Sequence, residues 1–133
     1  MTLGDLLHSH ALHTPDAPAL TCGGRTMSFA ELDASTDRLA AWLLGEGLKP
    51  GDRIAVQWPN GFEVVQTYFA AAKAGLIAVP INLRLKPSEI AWVIENSGAA
   101  LGFAHPALGD AMQSTGIRVL PALPNLDAVA PLT

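Results

Sequence analysis

Three short apolar runs, Ile54–Trp58, Leu76–Ile81 and Ala99–Phe103, alternate with two segments of helical period between them. A strand that is apolar at every position, rather than at every second one, is buried on both faces. Strands of this kind joined by helices predict a parallel sheet with right-handed crossovers and helices packed against it. The βαβαβ stretch from Gly51 to His105 therefore sets the fold class as α/β, a mostly parallel sheet with flanking helices. The segments before and after it read as additions to the same layers.

The rest of the composition agrees with one packed unit. A chain of 133 residues with 50% hydrophobic and 15% charged residues has the material for a core and is too apolar for disorder. We expect a single domain over residues 1–133, with residues 121–133 as a proline-rich irregular tail. The net charge of −4 offers no basic stripe for nucleic acid and little attraction to an anionic membrane. No apolar stretch is long enough to span a bilayer, and no secretory signal precedes the first helix. Cys22 is the only cysteine, so no internal disulfide forms, which suits a cytoplasmic location.

Helix signals recur along the chain. Thr2 caps a first helix to His13, with Asp5 in its first turn and Leu3, Leu6, Leu7 and Ala11 on one face. His8, His10 and His13 lack the i, i+4 spacing of a helical metal site and read as surface histidines. Gly23-Gly24 turns a hairpin between Ala19–Cys22 and Arg25–Met27. Nothing near Cys22 in the sequence activates it, and it reads as structural. Ser28 and Glu31 form a capping box for a second helix, whose core side is Leu32, Thr36, Leu39 and Leu43. Asp33, Asp37 and Arg38 read as its solvated face. Asn60 and Glu63 suggest a cap for the third helix, with Phe62, Val65, Phe69 and Ala72 on one apolar face, Val64, Tyr68 and Ala71 on the next, and Gly75 at its end. Pro87 opens the fourth helix, Ile90, Val93 and Ile94 line its core side, and Gly98 closes it. Pro106–Gln113 suggests a short helix and Ile117–Leu120 a last strand.

In open α/β sheets, ligands gather beyond the carboxyl ends of the strands. That rule selects Trp58-Pro59-Asn60, Asn82-Leu83-Arg84 and His105-Pro106. Arg84 suits a phosphate or carboxylate, and His105 can give or take a proton. The plainer roles are Asn60 as a helix cap, Asn82 as a turn former, Arg84 as a surface charge and His105 as a pre-proline loop residue. Asn82, Arg84 and His105 are the binding candidates. No residue is assigned a catalytic or metal-binding role.

The stretch GDRIAVQWPNGFEVVQTYFAAAKAGLIAVPINLRLKPSEIAWVIENSGA resembles the opening region of AMP-forming acyl-CoA synthetases, a superfamily of adenylate-forming ligases. MSFAELDASTDRLAAWLLGEGLKPGD resembles the first conserved block of that family, and AAAKAGLIAVPIN the second. The resemblance covers nearly the whole chain but only the start of a family protein. It implies an incomplete N-terminal portion of the acyl-CoA synthetase-like fold. A full member activates a carboxylic acid with ATP and Mg²⁺ as an acyl-AMP and commonly passes the acyl group to CoA.

The family's phosphate loop, a Ser/Thr/Gly-rich run ending in Pro-Lys-Gly, is not matched by the QSTGIRV of Gln113–Val119. The later Thr-Glu segment, the ribose-binding Asp segment and the C-terminal lysine are also unmatched. The resemblance thus implies no cofactor for this chain alone, no catalysis by it, and self-association or a need for a completing segment. The alternative is a non-catalytic α/β binding or interaction module that needs a partner chain.

Overall fold

The molecule is built around β3 (Arg53–Gln57), an inner strand of a four-stranded sheet. The computed structural model describes residues 2–132. Before β3 come α1 (Leu3–His13), β1 (Pro18–Cys22), β2 (Arg25–Ser28) and α2 (Phe29–Gly45). After it come α3 (Phe62–Ala74), β4 (Ile77–Pro80), α4 (Pro87–Ser97), β5 (Leu101–Ala104), α5 (Asp110–Gln113) and β6 (Arg118–Leu120). The sheet order is β4-β3-β5-β6 and every pair is parallel, as expected. Val56 aligns with Pro80 on one side and with Phe103 on the other.

The alternation of side chains along β3 and β5 divides the core in two. Ile54, Val56, Leu101 and Phe103 face α2 and α3, where Leu39, Leu43, Ala70, Ala71 and Ala74 meet them. Ala55 and Ala104 face α4 and α5, against Ile90, Ile94 and Met112. The chain leaves β3 for β4 through α3 on the first face. It returns past β3 to β5 through α4 on the second. Crossovers of one hand that travel in opposite directions across a sheet must lie on opposite faces.

Local chemistry explains the element ends. Thr2 and Asp5 form a capping box on α1, and Ser28 and Glu31 form one on α2, with both reciprocal bonds of the latter at 3.1 Å. Gly75 and Gly98 close α3 and α4 with φ of 74° and 66°, the left-handed region that costs glycine least. Gly23 and Gly24 both take positive φ in the β1–β2 turn.

Several expectations are corrected. The N-cap of α3 is Gly61, without a side-chain cap, and Asn60 lies outside the helix. The buried face of α3 is Thr67, Ala70, Ala71 and Ala74, because small side chains permit close packing on α2 while Phe62, Val65 and Phe69 stay half-buried. In α1 only Gly4 and Leu7 are buried; Leu3 and Leu6 are exposed because one short helix offers its neighbours a narrow contact. The strand β4 is an edge, so Ile77 remains 52% exposed rather than covered on both faces. Residues 106–109 form turns, and α5 is a single turn. Cys22 is exposed on the hairpin.

The largest correction concerns α2. Asp33 is buried, not solvated, and both it and Asp37 bind the ammonium of Lys73 on α3. His8 on α1 reaches the other oxygen of Asp33 at 3.0 Å, so its exposed ring still has a structural partner. The tail has no regular element, as expected, but Leu123, Leu126 and Leu132 pack on the α2/α3 side of the core.

Candidate functional site

The sheet reverses its direction of travel at β3, since β4 lies to one side and β5 to the other. At such a switch point the two following loops leave toward opposite faces, and a crevice opens between them. Here the loops begin at Trp58-Pro59 and His105-Pro106. A cavity of about 470 Å³ lies at this point, within the range of small-molecule sites. Of the three strand-end groups that the sequence nominates, the structure brings these two together.

Each wall has a local cause. Trp58 follows β3 and is held by its indole N–H, which donates to Thr67 Oγ1 at 3.3 Å. The Thr67 hydroxyl in turn donates to the Glu63 carbonyl at 2.7 Å, and the Trp58 ring tilts against Phe103 at 5.9 Å. The opposite wall comes from Met27 on the hairpin and from the Pro121-Ala122-Leu123 turn after β6. Phe62 carries the Arg25 guanidinium over its ring, 5.4 Å from the centroid.

His105 is exposed at the mouth of the cleft. Its backbone N–H donates to the Gln57 carbonyl at 3.2 Å and extends the β3–β5 ladder. Its Nδ1 accepts the Ala107 N–H at 3.1 Å. In the neutral ring that contact leaves the proton on Nε2, which is then a donor. Gln66 donates its amide to Ser35 Oγ at 3.1 Å, leaving its oxygen as an acceptor in the cleft beside the Glu63 carboxylate. The site therefore offers two donors, two acceptors and an apolar body, with no nucleophile. The three carboxyls held below their ordinary range, Asp5, Glu31 and Asp33, all lie elsewhere.

Asn82 and Arg84 do not reach this cleft. They follow β4 at the sheet edge, where Asn82 Oδ1 accepts the Arg84 N–H at 2.9 Å in a local turn. The Asn82 carbonyl accepts the Gln57 side-chain N–H at 3.3 Å. Gln57 is buried, and its Oε1 has no protein partner among the described residues. Arg84 is exposed and makes no ion pair with a described residue. Asn60 is exposed in the loop before α3.

Sequence reasoning missed Arg25, Phe62, Glu63 and Gln66. The hairpin forms its own two-stranded sheet, and no pattern along the chain reveals which strand end it covers. Among the described residues no group of three or more His, Cys, Asp or Glu side chains is arranged to hold a metal, and no helix is long and apolar enough to cross a membrane.

Comparison with known proteins matches this architecture. A family model described as AMP-binding enzyme matches residues 7–131. A fatty acid–[acyl-carrier-protein] ligase of Streptomyces coeruleorubidus is 33% identical over 129 residues, covering 97% of this chain and 24% of that protein. A 2,3-dihydroxybenzoate-AMP ligase of Bacillus subtilis is 35% identical over 133 residues, covering 94% of this chain and 24% of that protein. Among solved structures, a fatty acyl CoA synthetase of Mycobacterium tuberculosis superposes with a TM-score of 0.83 at 25% identity, over 97% of this chain and 30% of that one. A benzoate CoA ligase of Burkholderia xenovorans, at 22% identity, shares the fold with a TM-score of 0.89 over 99% of this chain and 29% of that one. The chain thus spans about a quarter of the length of these curated relatives. With the parallel sheet, the hairpin ahead of it and a family match over nearly every residue, the chain belongs to the AMP-binding enzyme family.

Proposed function

We propose that these residues are the N-terminal part of a ligase that activates a carboxylic acid with ATP through an acyl-AMP and transfers the acyl group to CoA. The observation that carries the reading is the family match over residues 7–131 joined to the much greater length of the relatives. The names of those relatives, acid–AMP, acid–CoA and acid–carrier-protein ligases, supply the substrate class.

On this reading the 133 residues do not catalyse by themselves. The cleft does not fit a nucleoside triphosphate with Mg²⁺. Arg25 is the only full cation among its described lining residues and Glu63 the only carboxylate. Phosphoryl charge needs several converging donors, and Mg²⁺ needs carboxylate and phosphate oxygens. The strand-end cleft is instead a wall of the finished site, with His105 and Arg25 as its polar groups. The cytoplasm, where ATP and CoA are supplied, suits such a ligase.

The purified chain is expected to show no carboxylate-dependent exchange of pyrophosphate into ATP over a panel of acids. Exchange that requires Mg²⁺ would overturn the assignment of an inactive segment.

A second reading is an interaction module that completes itself with another polypeptide or another copy. The observation favouring it is the exposed apolar surface of β4 and α4, where Ile77, Leu83 and Trp92 project into solvent.

A further inference from the structure

Trp92 is 64% exposed on α4, on the side away from the buried Ile90 and Ile94. With a repeat of 3.6 residues, Leu85, Glu89, Trp92, Val93 and Asn96 form a second stripe along the helix. A groove of about 450 Å³ runs beside it, lined by Leu85, Ser88, Glu89, Trp92 and Val93. The helix therefore carries both a large apolar knob and a shallow hole.

The charges on this face have a matching symmetry. Lys86 precedes the first turn, and Glu95 lies in the last full turn. Both are exposed, and neither is in an ion pair with a described residue. Lys86 and Glu95 are equidistant from a midpoint between Ile90 and Ala91. Glu89 and Trp92 share that midpoint, as do Ser88 and Val93. When two such helices lie antiparallel about a two-fold axis through this point, Lys86 of each faces Glu95 of the other. Each Trp92 then sits over Ser88 and Glu89 of its mate. Glu89 does not oppose this, because its carboxylate turns back to accept the Lys86 backbone N–H at 2.9 Å.

We infer that α4 is the contact surface of a homodimer, in which this stripe packs antiparallel on the same stripe of a second copy. A two-fold contact needs a self-complementary patch, and α4 supplies both the apolar and the charged halves of one. Two helices of 11 residues bury less than the roughly 1,200 Å² of a stable standard interface, so the dimer is a reversible, concentration-dependent one. The inference deepens the interaction reading above by naming the surface and the partner. It is independent of the exchange assay, so either can fail alone.

Sedimentation equilibrium of the 133-residue chain at low salt tests it. The mass is expected to rise from 13.9 kDa toward twice that value with concentration, and Trp92→Ala is expected to abolish the rise. Lys86→Glu and Glu95→Lys are each expected to weaken association, since each sets like charges face to face. An equimolar mixture of those two variants is expected to regain it, because both contacts then pair opposite charges. All three positions are exposed, and circular dichroism of each variant checks that the fold is kept. A chain that stays monomeric, association that survives Trp92→Ala, or charge variants whose mixture gains nothing would each overturn the inference.

Discussion

Lys73 Nζ stands 2.6 Å from Asp33 Oδ1, and the lysine side chain is only 7% exposed. The same ammonium reaches Asp37 Oδ1 at 2.7 Å and the Asp33 carbonyl at 3.0 Å. With His8 on the far oxygen of Asp33, the cluster ties α1, α2 and α3 together. A half-buried charge cluster adds less to stability than its contacts suggest, because desolvation opposes them. Its partners nonetheless depend on one another.

Lys73→Met should therefore cost about 3 kcal/mol, since it leaves Asp33 buried without a cation. Asp37→Asn should cost no more than about 1 kcal/mol, because Asp37 is partly solvated and Lys73 keeps Asp33. Urea unfolding of the two variants measures both. Equal losses would mean that the ammonium does not favour Asp33.

Acid should weaken the fold through the same carboxylate. Burial pushes Asp33 up, but the Lys73 and His8 hydrogen bonds and charges outweigh it, and the carboxyl lies below its ordinary range. A depressed folded pKa gives stability that is complete above the unfolded value near ~3.9 and is lost as pH falls through the folded one. Asp5 and Glu31 act in the same direction, each lowered first by the backbone N–H of its capping box, from Thr2 and Ser28. The urea midpoint should fall steeply below about pH 4. Asp33→Asn should start less stable and vary less with pH over that window.

The capping box on α2 gives a local test. Ser28→Ala removes the acceptor of the Glu31 N–H and should cost about 1 kcal/mol. Thermal unfolding would register it as a lower midpoint with the cooperativity of the transition unchanged.

Gly102 on β5 leaves no room for a side chain. A Cβ there would run into Met112 Sδ and come within 3.2 Å of Ile117 Cδ1. Met112 is fully buried, so it yields only by disturbing α5. Gly102→Ala should cost about 1–3 kcal/mol. Amide exchange should show the loss first in β5, α5 and β6.

The cleft distinguishes two sequence candidates. In a longer ligase containing this segment, His105→Ala should lower kcat/KM about tenfold with little change in unfolding midpoint, while Arg84→Ala should stay within about twofold. Unchanged kinetics for His105→Ala would remove the strand-end cleft from the site.

The elements of this protein were legible because their signals are local. Capping boxes at Thr2 and Ser28 and glycine stops at Gly75 and Gly98 act within one helical turn, so the chain declares them regardless of its surroundings. The apolar runs at β3 and β5 declare burial on two faces, and with it the parallel sheet and its family resemblance. The strand-end rule likewise nominated Trp58 and His105. What the chain could not declare is which distant groups meet. Asp33 and Lys73 are 40 residues apart in sequence, and only the docking of α3 on α2 turns an apparent surface carboxylate into a buried one. Arg25 enters the cleft because the hairpin packs over that strand end. Asn82 and Arg84 fall outside it because β4 takes the edge of the sheet. Burial and pairing at those positions follow from strand order and helix docking, which are properties of the whole packed chain.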